Sequence, residues 1–180
     1  MRAAMVAAAG LALGCSALVA RNPAAGAPMK EPTATGSGAG RMDGLGTIGI
    51  AYHARDIHQW IDRLIPDAKA KGSGGVTLEN SPAYKVQISV RTVSGGAEIH
   101  AHWDDVMLVE QGTAKLVTGG TVVGGKTDAD GETRGENVSQ GHAETIEKGD
   151  VITVRAGTPH QLLLDPGTIY AAVVIKVHEP

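Results

Sequence analysis

From Ala97 to Gly112 the chain reads Ala-Glu-Ile-His-Ala-His-Trp-Asp-Asp-Val-Met-Leu-Val-Glu-Gln-Gly, crowding two histidines and two aspartates into adjacent positions. Imidazole and carboxylate together ligate divalent transition metals. His100 and His102 are two residues apart, so in an extended strand both side chains point to one face. Trp103-Asp104-Asp105 is expected to form a tight corner, after which Val106 to Val109 returns as the next strand and brings a carboxylate back toward the imidazoles. The chemistry this spacing suggests is metal binding.

A second segment, Gly149-Asp-Val-Ile-Thr-Val-Arg-Ala-Gly157-Thr-Pro-His160, reads as a turn, a buried strand, another turn and a further histidine. Together the two segments resemble the paired motifs of the cupin superfamily: His-x-His with a nearby acid and a closing glycine, then a Gly-Asp strand ending in Gly-x-Pro-His. The resemblance implies an antiparallel double-stranded β-helix, the cupin jelly-roll barrel, preceded here by one short amphipathic helix. It also implies His100, His102 and His160 as metal ligands, with Asp105 in the place where cupins usually carry glutamate. The turn from His102 to Asp105 is one residue shorter than the commonest family spacing. Asp104 therefore stays open as a substitute, as does a pairing of Glu98 with His100. Ser94 stands where the first motif usually opens on glycine, and Arg155 and Leu164 replace the usual proline and asparagine of the second.

Three imidazoles and one carboxylate suit one divalent transition metal, and Fe, Mn, Ni, Cu and Zn are not distinguished by such a set. Open coordination positions would admit water, dioxygen or a small chelating substrate. The expected function is a metal-dependent enzyme, a dioxygenase placed slightly ahead of a lyase or isomerase. The alternative is a non-catalytic barrel that binds a metal or small ligand, because fold does not fix function. Arg91 and Gln87, on the strand before the first motif, are the candidate substrate-contacting residues, Arg91 as a bidentate partner for a carboxylate.

Period-two alternation supplies the elements that must position these residues. Val86, Ile88 and Val90 alternate with Lys85, Gln87, Ser89 and Arg91, as in a half-buried strand. Further strands are expected over residues 114–117, 121–123, 144–146, 151–154, 161–164 and 169–177, divided by glycine turns. Ahead of them, Ile57, Trp60, Ile61 and Leu64 fall at helical spacing and need a surface to pack on. Pro66 is expected to end that helix, residues 69–75 to form a loop, and residues 48–52 a short strand. Residues 119–149 are polar and glycine-spaced, and a mobile hairpin over the barrel mouth is expected there. Lys126-Thr-Asp-Ala-Asp-Gly131 lacks the first and last ligands of a calcium loop. His178 is expected to approach the barrel only if the last strand runs to its end.

The 180 residues suffice for one ordinary core, divided as a barrel over 76–180, a strand-and-helix extension over 48–75, a flexible tether over 28–47 and an N-terminal leader over 1–27. The leader is an Ala-rich apolar run with the small residues Ala25-Gly26-Ala27 at its end, the pattern of a secretory signal peptide. Secretion or a periplasmic location is expected, with a lipid anchor at Cys15 as a variant of it. Cys15 is the only cysteine, so no internal disulfide forms. A net charge of -3, no one-sign charge runs and no Phe give no basis for nucleic-acid or polybasic membrane binding. The expected partner is a small molecule, and a homodimer through the amphipathic helix is compatible.

Overall fold

The computed structural model describes residues 49–179. The leader, the tether, Cys15 and Ile48 lie outside the described residues. The elements are α1 (Ala54–Lys71), β1 (Ser73–Asn80), β2 (Tyr84–Arg91), β3 (Ala97–His100), β4 (Trp103–Gln111), β5 (Thr113–Thr118), β6 (Thr121–Val123) and β7 (Lys126–Thr127). They continue with β8 (Glu132–Gly135), β9 (Asn137–Ser139), β10 (His142–Glu147), β11 (Val151–Val154), β12 (His160–Leu163) and β13 (Tyr170–His178). One sheet has the order β1-β2-β13-β4-β11, the other β10-β5-β12-β3-β8-β7, and β6-β9 form a separate ribbon. From β3 onward the chain passes back and forth between the two sheets, and the strand pairs are antiparallel. This is the double-stranded β-helix expected from the two motifs.

The alternation along β2 is decided by α1. Ile88 and Val90 point away from the barrel and are buried with Ile61, Ala68 and Ala171, while Ile57, Trp60, Leu64 and Ile65 pack around them. Burying a side chain such as Ile61 or Ile88 stabilises by about 2 kcal/mol, which gives a short helix the support it lacks alone. The consequence for function is the other face: Lys85, Gln87, Ser89 and Arg91 turn into the barrel and line its cavity. A second core of Met107, Val109, Leu116, Ile146, Val154, Tyr170 and Ala172 fills the space between the sheets.

Three local expectations are corrected. The helix continues through Pro66 to Lys71, because Ile65 and the fully buried Ala68 beyond it hold the last turn against the sheet. The loop expected over 69–75 is instead that turn, a Gly72 cap whose N–H donates to Ala68 O at 2.7 Å, and the start of β1. Residues 49–52 are not a strand; Tyr52 reaches across to donate its hydroxyl to Glu79 Oε1 at 2.8 Å.

Candidate metal centre

β3 places Glu98 and His100 on the cavity side, and β12 pairs with it so that His160 stands opposite Glu98. Donor atoms of Glu98, His100 and His160 all lie within 4.8 Å of one another. Both imidazoles are buried. Asp105 enters from β4 in the facing sheet, its Oδ2 3.4 Å from His100 Nε2, and Glu98 Oε2 is 3.7 Å from the same nitrogen.

The other ring nitrogens are tethered. His100 Nδ1 is 2.5 Å from Glu132 Oε2, and His160 Nδ1 donates to Thr158 O at 3.1 Å. Holding each Nδ1 from behind leaves Nε2 facing the cavity, which is how metal-binding histidines are oriented. The donor set therefore fits a divalent transition metal: two imidazoles, a half-buried carboxylate and room for further ligands.

Sequence reasoning missed two residues of this cluster. Glu132 reaches His100 because β8 joins the sheet beside β3, with His100 opposite Glu132. The stretch expected as a mobile hairpin thus contributes an ordered strand. Its acidic turn is closed by Asp128, whose Oδ1 accepts from the N–H groups of Asp130 and Glu132. Lys176 on β13 donates to Asp105 Oδ1 at 2.6 Å. Its inward direction follows from the period-two run through Ala172 and Val174; the identity of its partner rests on the register of β13 on β4, which pairs Lys176 with Asp105.

Burial works against a charge on His100, but its hydrogen bonds to Asp105 and Glu132 outweigh burial and the Lys176 charge, and its pKa is raised. Burial pushes Asp105 up, and its bonds with His100 and Lys176 more than reverse this, leaving the carboxyl below the usual range. Burial lowers His160, offset in part by the Thr158 carbonyl.

The remaining sequence candidates are placed as follows. His102 stands apart from the cluster: β3 ends at His100, so the alternation that would aim both rings one way stops there. His102 is exposed at the cavity mouth and stacks on His178, ring centroids 6.2 Å apart, since β13 does run to His178. The expected corner at residues 103–105 falls instead at Ala101 and His102, with Trp103 already in β4. Asp104 faces the other way, where Oδ1 accepts from Ala156 N at 2.7 Å and Oδ2 is 3.2 Å from Arg155 Nε. It anchors the turn that presents His160. Arg91 and Gln87 both line the cavity, Gln87 donating to Thr77 Oγ1 at 3.2 Å.

Glu132→Gln is expected to weaken metal binding about 10- to 100-fold without removing a ligand, because the amide holds Nδ1 less firmly. Chelator competition titrations on the two proteins measure this directly. Deeper in, Tyr170 is buried and its hydroxyl has no hydrogen-bond partner among the described residues; burial raises its pKa to about 12. The unfolded phenol ionises near its usual 10 while the folded one stays neutral, so stability present below pH 10 is lost as pH rises toward 12. Relative to Tyr170→Phe, wild type is expected to lose about 2 kcal/mol over that window. Urea midpoints at pH 8 and pH 11.5 are the check.

No family model matches the chain, and no curated protein matches it. Among solved structures, it is similar to the polyketide cyclase RemF from Streptomyces resistomycificus, with 18% identity, TM-score 0.44 and 61% of this chain against 69% of that one. An uncharacterized conserved protein with a double-stranded β-helix domain from Klebsiella pneumoniae has 13% identity, TM-score 0.45 and 59% against 77%. The DMSP lyase DddQ from Ruegeria pomeroyi has 11% identity, TM-score 0.44 and 60% against 48%, so this chain spans about half of that protein's length. The strand order of the two facing sheets is that of a double-stranded β-helix.

Proposed function

We propose that the protein is a metal-dependent cupin that holds one divalent transition metal on Glu98, His100 and His160 and acts on a small chelating substrate. The observation that carries this is the convergence of those three donors, within 4.8 Å of one another, beside a cavity of about 890 Å³. Two imidazoles and one carboxylate with open positions favour oxygen-dependent chemistry at Fe(II) over lyase or isomerase chemistry. Bound there, such an ion supplies a Lewis acid and, if iron, a site for dioxygen.

The chain's own groups hold and orient. Thr158 and Glu132 fix the two rings, and Arg134, 3.3 Å from Glu98 and 3.6 Å from Glu132, pairs with both carboxylates at the mouth. Lys176 Nζ stands on the cavity wall, hydrogen-bonded to Asp105. One observation favours a second reading, a binding module without turnover: Lys176 neutralises the carboxylate that occupies the motif's acid position. We further propose export from the cytoplasm, on the strength of the apolar Ala-rich run in residues 1–27.

Elemental analysis of the full chain, purified without a histidine tag or chelator and then reconstituted with each candidate ion, tests the reading. About one metal per chain with dioxygen uptake on chelating acids supports the enzyme. Stoichiometric metal without turnover of any chelating substrate supports the binding module, and failure to take up any of the ions overturns both.

A further inference from the structure

The cavity holds four cationic side chains, and three of them have partners. Lys176 is paired with Asp105, Arg134 with Glu98 and Glu132, and Lys85 sits 4.2 Å from the centre of the Trp103 ring. Arg91 lines the same cavity and, among the described residues, has neither an acidic partner nor a side-chain hydrogen bond. Directly opposite it across the β2–β13 pair is Tyr170, which also lines the cavity. Tyr170 is buried and its hydroxyl is unpartnered. The phenol oxygen is closed off from the cavity, whereas the guanidinium is a donor there without an acceptor, a hydrogen-bonding deficit that an anion would fill.

The backbone is cut to suit the guanidinium. A Cβ on Gly95 would sit 3.1 Å from Arg91 Nη1 and 3.3 Å from its Cζ, so the absence of a side chain there leaves the head group its place. Gly95 N donates to Leu162 O, and His160 lies two residues further along β12, roughly 7 Å of strand. Met107, Leu116, Leu162 and Val174 supply apolar wall to the same cavity.

We propose that Arg91 is the carboxylate-recognition end of this cavity, and that its ligand is an organic monocarboxylate whose carbon chain runs from it toward His100 and His160. This deepens the proposed function in naming the substrate class, and rests on it only for what meets the far end of the ligand. Capture of the carboxylate itself needs no metal. Arg91 is suited to the task because its planar fork matches both carboxylate oxygens.

The test is calorimetric titration of hexanoate and of the neutral isostere hexanamide into the full chain after chelator treatment, so that no metal is present to bind the carboxylate. Hexanoate is expected to bind at least about tenfold more tightly than hexanamide. The preference should vanish in Arg91→Gln and shrink in Arg91→Lys, which keeps charge but not the fork. Should Arg91→Gln fail to fold, Arg91→Lys decides. Equal affinity for acid and amide, no binding of hexanoate, or a preference that survives Arg91→Gln or is undiminished in Arg91→Lys overturns the proposal. Metal content measured before chelation keeps the two readings apart: preference without metal sinks the metal centre alone, and metal without preference sinks the carboxylate site alone.

Discussion

A His100→Ala, His160→Ala double variant is expected to fall from about one metal per chain to near none, while His102→Ala keeps its metal. The contrast follows from where β3 stops. His100 and His160 are buried, tethered at Nδ1 and within reach of Glu98, whereas His102 has left the strand and lies exposed against His178. The barrel should survive the double substitution, because its core is made by Met107, Val109, Leu116 and their neighbours and does not include the two rings. Asp105 also keeps a countercharge, Lys176, when His100 is removed. Metal-to-protein ratios by elemental analysis, with circular dichroism to confirm folding, read the outcome. Metal retained by the double variant, or lost by His102→Ala, would move the centre toward the mouth.

Gly112→Ala is expected to cost about 3 to 5 kcal/mol, against about 1 kcal/mol for Gly149→Ala. Both glycines belong to the motifs and both have positive φ, +79° and +96°. They differ in what surrounds them. A Cβ on Gly112 would stand 2.3 Å from the Ile169 carbonyl oxygen, where the β4–β5 corner meets the start of β13, and backbone there has no room to yield. Gly149 has nothing within 4 Å of the same atom, so only its left-handed conformation is charged to the variant. Denaturant midpoints of the two variants separate steric from conformational cost. Similar shifts would mean that the corner relaxes freely.

Much of this architecture is legible in the sequence because it is local. Residues 121–123 and 151–154 are strands where alternation between glycine turns places them, and the stripe from Ile57 to Leu64 is one face of α1. The barrel is what the resemblance of the two segments to the cupin motifs implies, and the run of short strands divided by glycine turns agrees with it. What escaped depends on contacts between distant segments. Pro66 would end an isolated helix, but α1 runs on because the sheet holds its last turn. Alternation along β2 shows two faces without showing which one looks inward; α1 claims the apolar face and leaves Arg91 and Gln87 to the cavity. Glu132 meets His100 across 32 residues through the register of β8 on β3, and nothing near Glu132 in the sequence marks it. His-x-His suggests two ligands on one face only while the strand lasts, and here it ends at the first histidine. Glu98, two residues before His100 on the same strand, shares the cavity face with it by the same alternation, the pairing that the spacing left open.

X-ray absorption spectroscopy of the reconstituted full chain tests the central claim most directly, since imidazole rings give a distinctive outer-shell scattering pattern. Two imidazoles and an oxygen ligand at the metal, falling to one imidazole in His160→Ala and unchanged in His102→Ala, is the predicted result. Three imidazoles, or a spectrum that His160→Ala leaves unaltered, would contradict a centre built on Glu98, His100 and His160.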